Sequence, residues 1–268
     1  MKTLIVLALA FITSITAAQT PIVSPEIVAI KKKNVLVVAM TKKDTPPFYS
    51  GEGENIRGLD VEIARRIAAV IGVPVEFRRD AESFSEVVEQ VRTGVADVAV
   101  SKLSITSPRL LMVRFSTPYV KLRQSMIVNR VWLSQNIKGR EPHEVIRSFN
   151  GKISFIRNSS YDTFARTNFP RAQFIPEDSW TTIINNVTNG TIAAGYRDEF
   201  EIKKISFEKP DAAISTKTVT ISDSVDEIAV AVHFNATHLL SIVDHVVENE
   251  FKNIDTKKLM ERYKAEKK

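Results

Sequence analysis

The sequence contains no cysteine, which excludes disulfide bridges, a cysteine nucleophile and the lipid-bearing cysteine that tethers some exported proteins to a membrane. Long apolar runs are missing beyond the N-terminal segment, and no later stretch approaches the ~18 consecutive apolar residues a membrane-spanning helix needs. Nor is there a dense block of one charge. The formal charge of +6 is spread thinly, and the densest basic run, Lys31-Lys-Lys33, reads as the solvated end of a helix, so nucleic acid is not an expected partner. Several enzyme signatures are absent too: there is no Gly-x-Ser-x-Gly elbow, no His-Glu-x-x-His and no phosphate-binding Gly-x-x-x-x-Gly-Lys-Ser/Thr. Gly51-Glu-Gly53 lacks the flanking strand and helix of a dinucleotide site. His238 and His245 are spaced to share a helix face but bring no third ligand, so no metal or other cofactor is expected.

What remains is a chain of ordinary globular composition, 268 residues with 44% hydrophobic and 25% charged, enough for two modest cores. Residues 1 to 18 have the layout of a signal peptide: Lys2, an apolar run from Leu4 to Ile15, and small residues up to Ala18, near which cleavage is expected. The mature protein is then expected in the periplasm, as a monomer.

Helix signals alternate with buried-strand signals, the mark of an α/β fold. Ser24-Pro25 opens a helix before the strand Val35–Ala39, whose lack of polar alternation predicts burial on both faces. Asp60 is placed to cap a helix carrying Ile63, Ile67 and Ile71 at every fourth position and ending at Gly72. Ser83 and Glu86 form a capping box for the helix with Val87, Val88 and Val91. Strands are predicted at Val73–Phe77, Val95–Val100, Gln124–Val131, Lys152–Ile156, Ile192–Tyr196 and Ile228–Val232, with a helix near Glu141–Phe149. Val87–Ala99 aligns without gaps on Ile183–Gly195, a helix, a glycine stop and a strand in each case. This echo predicts two lobes of similar construction. Their expected extents are 24–122 with 226–268 for the first and 123–225 for the second.

In open α/β sheets ligands sit beyond the carboxyl ends of the strands, so the polar residues at those ends are the candidate site. After Val100 come Ser101, Lys102, Ser104, Thr106, Ser107 and Arg109, where hydroxyls offer adaptable donors and the guanidinium a fork for a carboxylate. After Ile156 come Arg157, Asn158, Ser159 and Ser160, with Ser159 and Asp162 able to cap a helix at Tyr161 and so to leave a site for an anion. After Tyr196 comes Asp198, which reads equally as the cap of helix Glu199–Ile205.

Ser101-Lys-Leu-Ser-Ile-Thr-x-x-Arg109 followed by Phe115-Ser-Thr-Pro-Tyr119, with Pro47-Phe48 and Gly58-Leu-Asp-Val-Glu-Ile-Ala64 upstream, resembles the signature of periplasmic amino-acid-binding proteins, the bacterial extracellular solute-binding family 3. The resemblance covers nearly the whole mature chain. It implies two lobes, each a mostly parallel sheet flanked by helices and joined by two hinge strands, which close on an amino acid or small carboxylate and present it to the permease of an ABC transporter. Arg109, Ser101, Ser104 and Ser160 then hold the carboxylate. Asp198 holds the ammonium, and Phe84 either stacks on the ligand or packs in the core. Lys42 and Thr45 fall at specificity positions, and Lys42, with Arg157, disfavours lysine or arginine as ligand. Ala193 stands where the family usually has an aspartate. A binding protein, not an enzyme, is the expectation; a dehydratase-like enzyme and a sensor module are the alternatives the same fold allows.

Overall fold

The computed structural model describes residues 24–252 and 254–267, so the expected signal peptide lies outside the described residues. Helix α1 (Pro25–Lys33) leads to β1 (Leu36–Thr41), α2 (Leu59–Ile71), β2 (Val75–Ala81), α3 (Phe84–Arg92), β3 (Val98–Ala99), the single turn α4 (Ser107–Leu110) and β4 (Val113–Phe115). The chain crosses into a second half through β5 (Val120–Asn129). There it builds α5 (Arg130–Ile137), α6 (Pro142–Arg147), β6 (Lys152–Ile156), α7 (Ser160–Asn168), β7 (Gln173–Glu177), α8 (Trp180–Thr188), β8 (Ala194–Asp198), α9 (Glu199–Glu208) and α10 (Ala212–Ser215). Strand β9 (Thr216–Ile228) brings it back to β10 (Ala231–His233), α11 (Thr237–Val246) and α12 (Thr256–Glu266).

Two five-stranded sheets result, ordered β2-β1-β3-β10-β4 and β7-β6-β8-β5-β9. The orders are the same once β1, β2 and β3 are set against β6, β7 and β8: three parallel strands, then an antiparallel one. The α/β class and the two-sheet architecture expected from the sequence are therefore borne out.

Strand β1 shows why its apolar run is unbroken. Val38 and Met40 face a core shared with Ile63 and Ile67 of α2 and Val243 of α11, while Ala39 faces a second core with Val87 and Val91 of α3. Helices cover both faces, so neither set of alternate residues meets water. The second sheet repeats this, with Ile153 and Phe155 beside Tyr196 on one side and Ile127 beside Ile183 and Val187 of α8 on the other.

The local expectations needed several corrections. Asp60 does not cap α2; Gly58 stands at that place, and Asp60 is buried in the first turn, accepting from the Lys102 N–H at 2.6 Å and the Tyr119 hydroxyl at 2.8 Å. Asp162 does not cap α7 but pairs with Arg166. The strand expected to reach Val131 stops at Asn129, whose side chain accepts from Trp132 N and caps the unforeseen α5. The strand expected at Ile228–Val232 is instead the end of β9 and the short β10. Strand β9 escaped notice because it lies along the edge of its sheet, pairing with β5 and only at its end with the Ser104 segment, and leaves one face to water; Thr, Lys, Ser and Asp therefore punctuate it.

Candidate functional site

The carboxyl ends of β3, β6 and β8 face one another, and the cleft between the halves is closed down to a cavity of about 20 Å³. Arg109, Ser104 and Lys102 line it from the first half, and Ser159, Ser160 and Asp198 from the second, with Phe84 beside them. Short turns after buried strands put these side chains there, because each strand is held on both faces and delivers the next residues to the same edge.

Arg109 is 8% exposed. Its guanidinium donates to the Ser104 carbonyl at 2.9 Å and forms no ion pair among the described residues. Burial pulls its pKa down to about 10, with the charge of Asp226 opposing, so it remains a cation at neutral pH. The Ser104 and Ser160 hydroxyls, one from each half, are hydrogen-bonded to each other at 2.8 Å. Ser159 caps α7, accepting from Tyr161 N while donating to the Ile156 carbonyl. Phe84 packs against the α3 core and also lines the cleft.

Lys102 sits in a left-handed backbone conformation, φ 46°, and reaches across the cleft. Its Nζ donates to Asp198 Oδ2 and Glu201 Oε1 at 2.9 Å each, and lies 4.9 Å from the Phe48 ring centre and 5.5 Å from that of Phe200. Burial opposes the charge on Lys102, but the two carboxylates more than offset it and hold its pKa above the ordinary lysine value. Burial likewise pushes Glu201 up, yet Lys102, Arg197 and Lys204 together hold it well below the usual carboxylate range. Asp198 also caps α9, taking the Glu201 N–H on Oδ1 at 2.9 Å.

Four expected site residues lie elsewhere. Lys42 points to solvent and pairs with Glu82. Ser101 is fully buried, accepting from Thr41 N and donating to the Tyr49 hydroxyl, to which Thr45 also donates. Arg79 explains the loop: its guanidinium gathers the carbonyls of Thr41, Lys42 and Gly51 and the Asp44 carboxylate, folding the segment back on itself. Arg157 is tied to Asp178 and the Pro176 carbonyl at the end of β7. The charge repulsion expected from Lys42 and Arg157 against a basic ligand therefore has no geometric basis.

Sequence reasoning missed Asp226, Tyr161, Tyr196 and Arg197, all of which line the cleft. Asp226, on β9, is 1% exposed; the Tyr161 hydroxyl donates to its Oδ2 at 3.1 Å, while its Oδ1 has no hydrogen-bond partner. Burial raises its pKa to about 6; the Ser104 hydroxyl opposes the rise and the charge of Asp198 adds to it. The alternation along β9 was the signal that could have found it, since an acid two residues before Ile228 shares that residue's buried face.

The profile of the bacterial extracellular solute-binding proteins, family 3, matches residues 36–266. Among solved structures the chain is similar to an amino acid ABC transporter substrate-binding protein, AbpA, from Streptococcus pneumoniae bound to L-arginine; identity is 26%, the TM-score is 0.69, and 89% of this chain and 98% of that one are covered. A probable histidine-binding protein of Neisseria gonorrhoeae is 24% identical over 68% of this chain and 65% of its own length. The membrane-bound lytic murein transglycosylase F of Saccharophagus degradans is 27% identical over 49% of this chain, and the match spans only 24% of that enzyme's length.

Proposed function

Because the chain belongs to the bacterial extracellular solute-binding proteins of family 3, we propose that it captures a small amino acid or related carboxylate between its two halves by hinge closure, and presents it in the periplasm to the permease of an ABC transporter. The observation that carries this reading is Arg109: a buried guanidinium, without an ion pair among the described residues, facing the cleft beside hydroxyls from both halves. Such a group calls for a carboxylate, which it grips through two parallel charge-assisted bonds. A ligand touching both halves favours the closed arrangement only through contacts that the open one lacks. The relatives whose names specify amino acids support this class of ligand. The reading contains no chemical step, although part of the chain is also similar to a stretch of a transglycosylase.

A thermal-shift screen over the common amino acids and small carboxylates tests it. A ligand at one hundred times its Kd adds about 2.7 kcal/mol to the native state, roughly 5–10 °C in Tm for a chain of this size. Recovering the ligand unchanged by mass spectrometry after incubation marks a binding protein, whereas turnover would overthrow the reading.

A further inference from the structure

Two carboxylates face the cleft, and they differ in what already holds them. Asp198 is satisfied by the chain itself, with the Glu201 N–H on Oδ1 and the Lys102 ammonium on Oδ2. That ammonium is 4% exposed, shared with Glu201 and stacked between two phenylalanine rings. A cation brought by a ligand would have to displace it, leaving Lys102 buried and deprived of a partner.

Asp226 is the converse case. It is equally buried and lines the same cleft; the Tyr161 and Ser104 hydroxyls act on it, yet among the described residues Oδ1 has no hydrogen-bond partner. Its backbone pairs with Leu122 of β5, so it stands where the second crossover rejoins the first, at the junction of the halves. Lys102 and Asp198, by contrast, come from opposite halves and meet only when these close. Among the described residues, Arg109 and Asp226 are thus the cleft's two opposite charges without an ion pair, and they present a cation and an anion to one small molecule.

We propose that Asp226 receives the amino group of the ligand, and that Asp198 is withheld from it by Lys102. This rests on the reading given above and deepens it: the cleft selects zwitterions over the corresponding acids without an amino group, through an acid on the hinge.

Calorimetric titration of the full chain tests it, with L-glutamate, L-histidine and L-arginine each set beside the acid lacking the amine (glutarate, imidazolepropionate and 5-guanidinopentanoate). Asp226→Asn is expected to weaken the bound amino acid at least tenfold more than its des-amino counterpart, and Asp198→Asn to weaken both alike. Equal losses for Asp226→Asn, or a loss in Asp198→Asn confined to amino acids, overturns the assignment. Continued binding of the des-amino acid reports that a variant is folded; should Asp226→Asn fail to fold, Asp226→Ser and the Asp198→Asn comparison carry the same decision. If the wild-type chain binds neither class, the reading above falls and this inference with it; if amino acids bind and Asp226 shows no selectivity, the inference alone falls.

Discussion

A buried guanidinium that forms no ion pair among the described residues has given up hydration without a direct partner, and Arg109 is in that position, with the charge of Asp226 nearby. Arg109→Ala is expected to cost about 2–5 kcal/mol of affinity for any carboxylate ligand, read by calorimetry, with little loss of thermal stability because the group removed was an unpaired buried cation. Asp226 adds a pH signature. Its pKa lies above the ordinary 3.8, at about 6, so the native state holds this proton more tightly than the unfolded chain. The resulting stability is fully present below pH 4 and is lost as pH rises through 6, by at most about 3 kcal/mol. Arg109, Asp198, Lys102 and Tyr161 face the same group, so the comparison to make is between wild type and Asp226→Asn: the stability of wild type relative to the variant should fall between pH 4 and 6.5 in urea titrations, and a constant difference would exclude the linkage. The positions of Ser104, Ser160 and Asp198 were legible because each lies at or a few residues beyond the end of a buried strand, and that of Arg109 because it follows in the same polar run. Those of Lys42 and Arg157 were not, because Arg79 and Asp178, which hold their loops, lie 37 and 21 residues away, and no pattern marks the hydroxyl contact that ties Thr45 to Tyr49. Asp226 was hidden in a polar edge strand with no apolar run to mark it.

At the level of elements, the internal echo was the most informative feature of the sequence. The offset that sets Val98 against Ala194 also sets Lys102 against Asp198, 96 residues on. The residues at corresponding corners of the two repeats therefore meet across the cleft, an approximate symmetry written in the chain before any contact is known. The Gly58-Leu-Asp stretch had a physical cause that the helix pattern could not reveal. Gly58 has φ 124°, and a Cβ there would lie 2.4 Å from the Phe48 carbonyl oxygen, while Leu59 and Asp60 donate their N–H groups to the Pro47 and Phe48 carbonyls. Reading Asp60 as the cap, where Gly58 stands, put the start of α2 too late. Gly58→Ala combines a positive φ with a clash against backbone that cannot move aside, so a loss of about 2–4 kcal/mol is expected, roughly 4–16 °C in Tm. A change under 1 °C in differential scanning fluorimetry would mean that the approach of the two segments is looser than this geometry.

For the whole molecule, two halves joined by β5 and β9 can separate only by breaking what crosses the cleft. The contacts between the halves include the hydroxyl pair of Ser104 and Ser160, Ser85 to the Asn158 carbonyl, Lys43 to the Asp178 carbonyl, the Tyr263 hydroxyl on Glu208, the Phe200 ring against Phe48 and Tyr263, and Lys102 with Asp198 and Glu201. Only the last is a charged, fully buried cluster, so it governs the balance between open and closed forms. In Lys102→Met the closed form would keep Asp198 dry and without a cation, a loss of roughly 3–5 kcal/mol for breaking a buried pair. Glu201 would retain Lys204 at 3.1 Å. The chain can escape most of that cost by opening, which returns Asp198 to water, and every 1.4 kcal/mol shifts the populations tenfold. The effect should thus appear as a change of shape before a change of stability. By small-angle scattering without ligand, Lys102→Met is expected to have a radius of gyration above that of wild type, which chain length alone puts at about 18 Å for a compact fold. A ligand that bridges Arg109 and the second half should draw the variant back toward the wild-type value. If the variant and wild type scatter alike without ligand, the Lys102 cluster does not hold the halves together, and the closure must be attributed to the hydroxyl pair and the packing around it.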